Sequence, residues 1–544
     1  MKIRRMAGCV VAGFVAALVF AQALVAQAPG PVHTQNGLVQ GTAKDGVTVY
    51  LGIPFAAPPV GDLRWQAPHP GPIWKGVREA DKFAPGCAQI PIVNRALGLD
   101  PIPVSEDCLY LNIWTPAKSA SDRLPVMVWI YGGGFIGGGT AIGQYNGTNL
   151  AKKGVILVSV GYRLGPFGFL AHPELTAEQH GHSGNYGLMD QIAGLRWVKR
   201  NIAAFGGDPN RVTIFGESAG GISVSMLAAS PLAKGLFQGA ISESGGSFAP
   251  ARLDDESGEN VPPLALAEKN GAAFLTKLGA TSIASGRKLS MDQVLKGVGP
   301  GLSSGFWPDF DGYVLLGDQY KLYKAGKYND TPILIGTNSD EGALFVAKTT
   351  MKDYEASVHK GYGEHADKIL AAYPVGNSDA TALRSARDLS RDAIFGWGTW
   401  SWARLQAKTG KGKVFVYRFS HRPNYPDAPQ FKDWGAAHGA EIAYVFGNFS
   451  QGMPATDADK GVSEEVSSYW VNFAKTGDPN GAGLPMWPPF TNAKAQYMQL
   501  NDPSKAIPVP NLAQLKVLDG YFAWRRTQAA QASAGAASGA DPKP

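Results

Sequence analysis

The chain has 544 residues, 44% hydrophobic and 17% charged, too apolar for a disordered polymer and too evenly polar for a multi-span membrane protein. Its 68 glycines and 38 prolines make nearly a fifth of the sequence, against roughly 12% in average usage. No G-X-Y period accompanies them, so collagen is excluded and a loop-rich globular protein is indicated. The formal charge of +6 comes with no basic run and no aromatic-studded basic patch, which removes nucleic acid as a partner.

Residues 1–28 read as a secretory signal. Lys2, Arg4 and Arg5 precede an apolar stretch from Met6 to Phe20, and Ala21-Gln22-Ala23 and Ala26-Gln27-Ala28 both fit the small-x-small cleavage rule. Pro29 disfavours cleavage after Ala28, so the cut is left open between the two. A membrane anchor is the alternative, but the apolar run is short for a span and no stop-transfer charges follow. Removing the signal halves the net charge and takes Cys9 with it. Cys87 and Cys108 then remain as an even pair in a chain bound for an oxidising compartment, secreted or periplasmic, and are expected to pair. That bridge closes a loop of about 20 residues, worth roughly 3 kcal/mol on the loop-entropy account.

Downstream, strands alternate with helices. Residues 125–130 and 155–160 are near-continuous apolar runs, as in strands covered on both faces. Leu188, Ile192, Leu195, Val198 and Ile202 recur at helical spacing over 188–205, and Gly206-Gly207-Asp208-Pro209 stops that helix. Residues 211–215 read as a strand, and a helix of small residues starts at Ala219. Further strands fall at 239–242, 332–336, 413–419 and 496–500. Strand, helix, strand in succession implies the α/β class, with a mostly parallel sheet and helices on both faces. No later stretch is long and apolar enough to span a bilayer. The tail from 528 to 544 is mostly Ala, Gly, Ser and Pro and reads as disordered.

Gly216-Glu217-Ser218-Ala219-Gly220 matches G-x-S-x-G, in which a serine on a tight strand-to-helix turn needs small neighbours two before and two after. The pattern alone is weak, because Gly301-Leu302-Ser303-Ser304-Gly305 matches equally well. Context separates them. Ser218 follows an apolar strand and precedes a small-residue helix, whereas Ser303 lies between glycines and Phe306-Trp307-Pro308 and reads as a turn. Tyr131-Gly132-Gly133-Gly134-Phe135 directly follows the strand at 125–130, so bare amides there can approach a developing negative charge. The second run, Gly137-Gly138-Gly139, reads as a flexible loop.

With these residues in hand, the chain resembles the type-B carboxylesterases of the α/β-hydrolase superfamily. One signature is Phe215-Gly216-Glu217-Ser218-Ala219-Gly220-Gly221, and the other is Glu106-Asp107-Cys108-Leu109-Tyr110-Leu111-Asn112-Ile113-Trp114. Asn185-Tyr186-Gly187-Leu188-Met189-Asp190-Gln191 and Phe205-Gly206-Gly207-Asp208-Pro209 match as well. The resemblance runs from about residue 35 to 525 and implies one α/β-hydrolase catalytic domain over 29–527, where length alone suggests three or four domains of about 150 residues.

The resemblance further implies Ser218 as nucleophile, Glu341 as acid and His438 as base, with the backbone amides of Gly133, Gly134 and Ala219 as oxyanion donors. The residues themselves support the order serine, acid, histidine. They do not choose Glu341 over Asp340, nor exclude His421. The expected activity is hydrolysis of small-molecule carboxylic esters through an acyl-enzyme, with no metal, no organic cofactor and no obligate protein partner. In the cholinesterases, which the chain resembles more distantly, the corresponding loop carries the aromatic that cradles choline; here the loop between Cys87 and Cys108 holds no Trp, Tyr or Phe, so the resemblance does not extend to a choline ester. The Trp-rich segment 395–402 is read as core packing, with one ring lining the gorge as the alternative. Bulky natural-product esters of the mycotoxin type, amides and lactones stay open as substrates. An adhesion homologue that has lost its serine is disfavoured, since Ser218, Glu341 and His438 are all present.

Overall fold

The computed structural model describes residues 30–90, 101–253, 261–298 and 306–538; the signal segment 1–28, Cys9 and the second serine motif around Ser303 lie outside the described residues. An eleven-stranded sheet organises the chain. Its strands are β1 (Thr42–Lys44), β2 (Val47–Pro54), β3 (Tyr110–Thr115), β4 (Leu124–Ile130), β5 (Ile156–Val160) and β6 (Gly207–Glu217). They continue with β7 (Gly239–Glu243), β8 (Ile333–Asn338), β9 (Val414–Phe419), β10 (Gln496–Leu500) and β11 (Lys505–Pro508). The spatial order is β1-β2-β3-β5-β4-β6-β7-β8-β9-β10-β11. From β5 to β10 every neighbouring pair is parallel, while β1, β2 and β3 at one edge and β11 at the other join antiparallel.

The parallel strands are the apolar runs of the sequence. Every residue of β5, β7 and β8 is buried, and so is all of β4 except Leu124. A strand covered on both faces has no polar side to alternate with, which is why these runs lack a period of two. Helices Tyr186–Asn201, Ala219–Ala229, Trp397–Thr409 and Asp457–Thr476 flank the sheet against these strands. The expected strand at 211–215 is longer at both ends, because Gly206 at φ 83° closes the preceding 3₁₀ turn and the chain enters the sheet at once. The last helix is Leu512–Ser538, and residues 539–544 of the tail expected from 528 lie outside the described residues.

Because consecutive parallel strands all point the same way, the loops after β4, β6, β8 and β9 gather at one edge of the sheet. This is where α/β sheets bind ligands. At the start of the β3 edge, Cys87 and Cys108 form a disulfide with a Cα–Cα distance of 4.9 Å, both residues being buried. Replacing both by Ser should cost about 2 to 3 kcal/mol, the lower part of the usual range because a large continuous core remains. The expected reading is a lower urea midpoint with an unchanged slope. An unmoved midpoint would show that the bridge adds nothing. Among the described residues no helix is long and apolar enough to cross a membrane.

Candidate active site

Ser218 stands between Glu217, the last residue of β6, and Ala219, the first of the following helix. Its backbone lies at φ 55°, ψ −124°, a region that residues with a Cβ rarely occupy and that costs of order 1 to 3 kcal/mol. The turn presses both flanking glycines against the end of β4. A Cβ on Gly216 would lie 2.5 Å from the Ile130 carbonyl oxygen, and one on Gly220 would overlap that same atom. The demand for small residues on either side of the serine is thus steric and local.

The glycine run leaves the C-terminal end of β4. Gly133 and Gly134 have φ of 105° and 62°, and the Gly133 carbonyl accepts from the N–H groups of Ile136 and Gly137, both at 3.1 Å. The N–H groups of Gly133, Gly134 and Ala219 meet no acceptor among the described residues. The second glycine run is more than the flexible loop expected. Gly138 donates its N–H to Gln89 Oε1 at 2.9 Å and accepts from Gln89 Nε2 at 2.6 Å. Gln89 follows Cys87 by two residues, so the disulfide braces the loop that carries Gly133 and Gly134. No pattern in the sequence singles out this glutamine.

Glu341 follows β8 and is fully buried. Its carboxylate accepts from the Asn338 N–H at 2.7 Å and the Ser244 hydroxyl at 2.5 Å, and it lies 2.6 Å from His438 Nδ1. Asp340 instead accepts from the Ser339 hydroxyl at 2.5 Å and pairs at 3.4 Å with the exposed Arg384. His421 lies 2.8 Å from Asp459 Oδ1. The fold therefore brings Glu341 and His438 together and gives Asp340 and His421 other partners. Nothing in the sequence marks Ser244 or Asn338, because a serine or asparagine at a strand end is too common to signal anything.

The imidazole is also flanked by acids. His438 Nε2 lies 3.2 Å from Glu217 Oε1, so the residue beside Ser218 touches the histidine directly. Glu441, buried close by, accepts from Asn338 Nδ2, and Glu243 accepts from Trp470 Nε1 at 2.7 Å. Burial pushes the Glu217 carboxyl up to about 7 against the pull of His438, and burial with Glu217 and Glu341 nearby pushes Glu441 up to about 8. Burial by itself would lower His438, but the Glu217 and Glu341 carboxylates outweigh it and hold the imidazole up at about 9.

Trp397, Trp400 and Trp402 are all buried in the core, as the packing reading expected. Among the described residues no group of three His, Cys, Asp or Glu could hold a metal ion. A strained serine, amides with no acceptor among the described residues and an imidazole held by a buried carboxylate are the kinds of group that attack on a carbonyl requires.

Comparison with known proteins supplies the wider context. The profile described as the carboxylesterase family matches residues 28–517. The chain is 40% identical over 478 residues to the fumonisin B1 esterase of Sphingopyxis macrogoltabida, covering 84% of each protein. It is 37% identical over 481 residues to the para-nitrobenzyl esterase of Bacillus subtilis, covering 84% of this chain and 92% of that one. A solved para-nitrobenzyl esterase structure superposes with a TM-score of 0.76 at 34% identity, covering 90% of this chain and 99% of the other.

Proposed function

The chain belongs to the carboxylesterase family, has the α/β-hydrolase fold and is a carboxylic ester hydrolase, and from that premise we propose that it works through an acyl-enzyme on Ser218. His438 takes the serine proton as the hydroxyl attacks the ester carbonyl. The amides of Gly133, Gly134 and Ala219 hold the tetrahedral oxyanion, and Glu341 orients the ring and stabilises the imidazolium. His438 then protonates the departing alcohol, and water resolves the acyl-enzyme by the same steps in reverse order. The 2.6 Å contact between His438 Nδ1 and the buried Glu341 carries this reading, because it fixes the tautomer in which Nε2 can accept a proton. Residues 1–28 are read as an export signal and 29–527 as the catalytic domain, and the Cys87–Cys108 bridge supports a destination outside the reducing cytoplasm.

A second reading narrows the substrate to bulky natural-product esters of the mycotoxin type. Its support is the 40% identity to an enzyme described as a fumonisin B1 esterase. A panel of aryl and alkyl esters graded in acyl length, with fumonisin B1, a choline ester and an anilide added, tests both. Higher kcat/KM for fumonisin B1 than for every simple ester would favour the second, and no turnover of it would remove that reading.

The pH profile offers a separate test. An ordinary histidine base gives an acid limb at about 6 to 7. With Glu217 and Glu341 holding His438 up, the neutral imidazole needed for attack is reached only at higher pH, so kcat/KM should still be rising above pH 7. Glu217→Gln removes one of the two charges and should move the limb down, towards the ordinary range. A limb at or below pH 6 in the unaltered enzyme, or no movement in Glu217→Gln, would count against this electrostatic account.

A further inference from the structure

The helix that carries the tryptophans begins with a device that the sequence does not announce. Helix Asp379–Arg391 does not pass smoothly into helix Trp397–Thr409, because Asp392–Gly396 form a π-helical turn between them. Such a turn holds an extra residue, rotates the side chains beyond it, and recurs at functional sites. Here it presents Phe395 to His438. The two rings stack with centroids 4.6 Å apart and planes 16° from parallel, and Phe395 is buried. Phe345, four residues after Glu341, meets the same imidazole at 5.1 Å and 53°.

The turn is fastened by charge. Arg391, the last residue before it, donates from Nε and Nη2 to the two oxygens of Asp392 at 2.8 and 2.9 Å. Its Nη1 donates to Asp388 at 2.6 Å and to the Ser339 carbonyl at 3.3 Å. Asp392 also accepts from the Tyr373 hydroxyl at 3.0 Å, and Arg418 donates to the same Ser339 carbonyl at 3.2 Å. Ser339 precedes Glu341 by two residues. One buried guanidinium therefore grips both the turn that carries Phe395 and the loop that carries Glu341. A buried ion pair is a poor device for stability alone, since desolvation consumes most of its attraction. As a spacer between two parts of one site it has a use.

We propose that Phe395 is a positioning residue for His438, and that Arg391 sets the spacing between this ring and the acid loop. The proposal rests on the reading of His438 as the base. Glu341 bonds the imidazole at Nδ1 and Glu217 lies 3.2 Å from Nε2, contacts at the ring edge that leave the ring faces free to tilt. A phenyl face laid against the imidazole face removes that freedom. The contact also strengthens during the reaction, because an imidazolium is attracted to the face of an aromatic ring. An interaction that grows towards the transition state raises kcat and leaves substrate binding alone. The charged groups facing His438 are Glu341, Glu217 and, further off, Glu441, and none is altered by changing Phe395.

The test compares Phe395→Leu, Phe395→Tyr, Phe345→Leu, Arg391→Lys and His438→Ala in the full chain, with p-nitrophenyl acetate as probe. Phe395→Leu should lower kcat about tenfold with KM changed less than about twofold, and should move the acid limb to lower pH as the imidazolium loses a stabilising face. Phe395→Tyr, which keeps the ring, should recover most of kcat. Arg391→Lys keeps the charge but loses the fork, and should lower kcat with little change in KM. Should Phe395→Leu fold poorly, Phe345→Leu at the less buried face should give a smaller change of the same kind. An unaltered kcat and pH profile in Phe395→Leu, with His438→Ala inactive, would overturn the proposal while sparing the base assignment. A rise in KM at constant kcat would make the ring a wall of the substrate site and overturn it too. Activity in His438→Ala would instead remove the base assignment on which the proposal stands.

Discussion

Ser218→Ala is expected to lower kcat by about 10⁶-fold, the scale seen when a hydrolase loses the nucleophile of a triad that acts as a unit. It should also abolish labelling by an organophosphate, whereas Ser303→Ala should keep full activity and full labelling. The expectation follows from where strain and approach are concentrated. Ser218 holds a backbone conformation at φ 55° that is maintained only because the surrounding structure over-determines it, with Gly216 and Gly220 packed against the end of β4. Alanine carries the same Cβ and fits the same turn, so the variant should fold with its oxyanion amides intact and lose only the hydroxyl. Residual turnover of about 10³- to 10⁴-fold over water would then report what those amides and substrate binding contribute alone. Full activity in Ser218→Ala would end the acyl-enzyme reading.

Much of the frame was legible because parallel strands, buried on both faces, leave an unbroken apolar run whose short length favours a strand over a buried helix. Strands β4, β5, β8 and β9 fell within a residue or two of their expected places for this reason. The edge strands β1 and β11 are short and largely exposed, so neither period nor hydrophobicity marks them. The serine and the glycine run could be found because their chemistry imposes a local backbone demand, and a local demand leaves a local pattern. The acid and the base were harder. Glu341 and His438 lie almost a hundred residues apart and make one hydrogen bond, so the choice between Glu341 and Asp340 depended on family resemblance until the fold was known. Ser244, Asn338 and Gln89 left no mark at all, and Phe395 was marked only as part of an aromatic segment read as core. Each is an ordinary residue made useful by what the sheet edge brings beside it.

Glu341→Gln is expected to lower kcat by about 10⁴-fold, by analogy with other triads in which the acid is replaced by its amide. The structure gives the reason in terms of donors and acceptors. Three donors converge on the Glu341 carboxyl: the Asn338 N–H, the Ser244 hydroxyl and His438 through Nδ1. A carboxylate can accept all three, but an amide has one accepting oxygen and one donating nitrogen. If the amide oxygen stays with Asn338 and Ser244, which both bond Oε1, the NH₂ group turns towards His438. Nδ1 must then accept, the proton moves to Nε2, and the ring can no longer take the serine proton. The charge that stabilises the imidazolium is lost as well. Asp340→Asn should change kcat by no more than a few-fold, because Asp340 faces Ser339 and the exposed Arg384, and exposed ion pairs are worth about 0 to 1 kcal/mol. The pH profile separates the two losses. In Glu341→Gln the acid limb should fall to lower pH, since one of the carboxylates that holds His438 up is gone. A large loss in Asp340→Asn alongside a mild one in Glu341→Gln would transfer the role of the acid to the neighbouring residue.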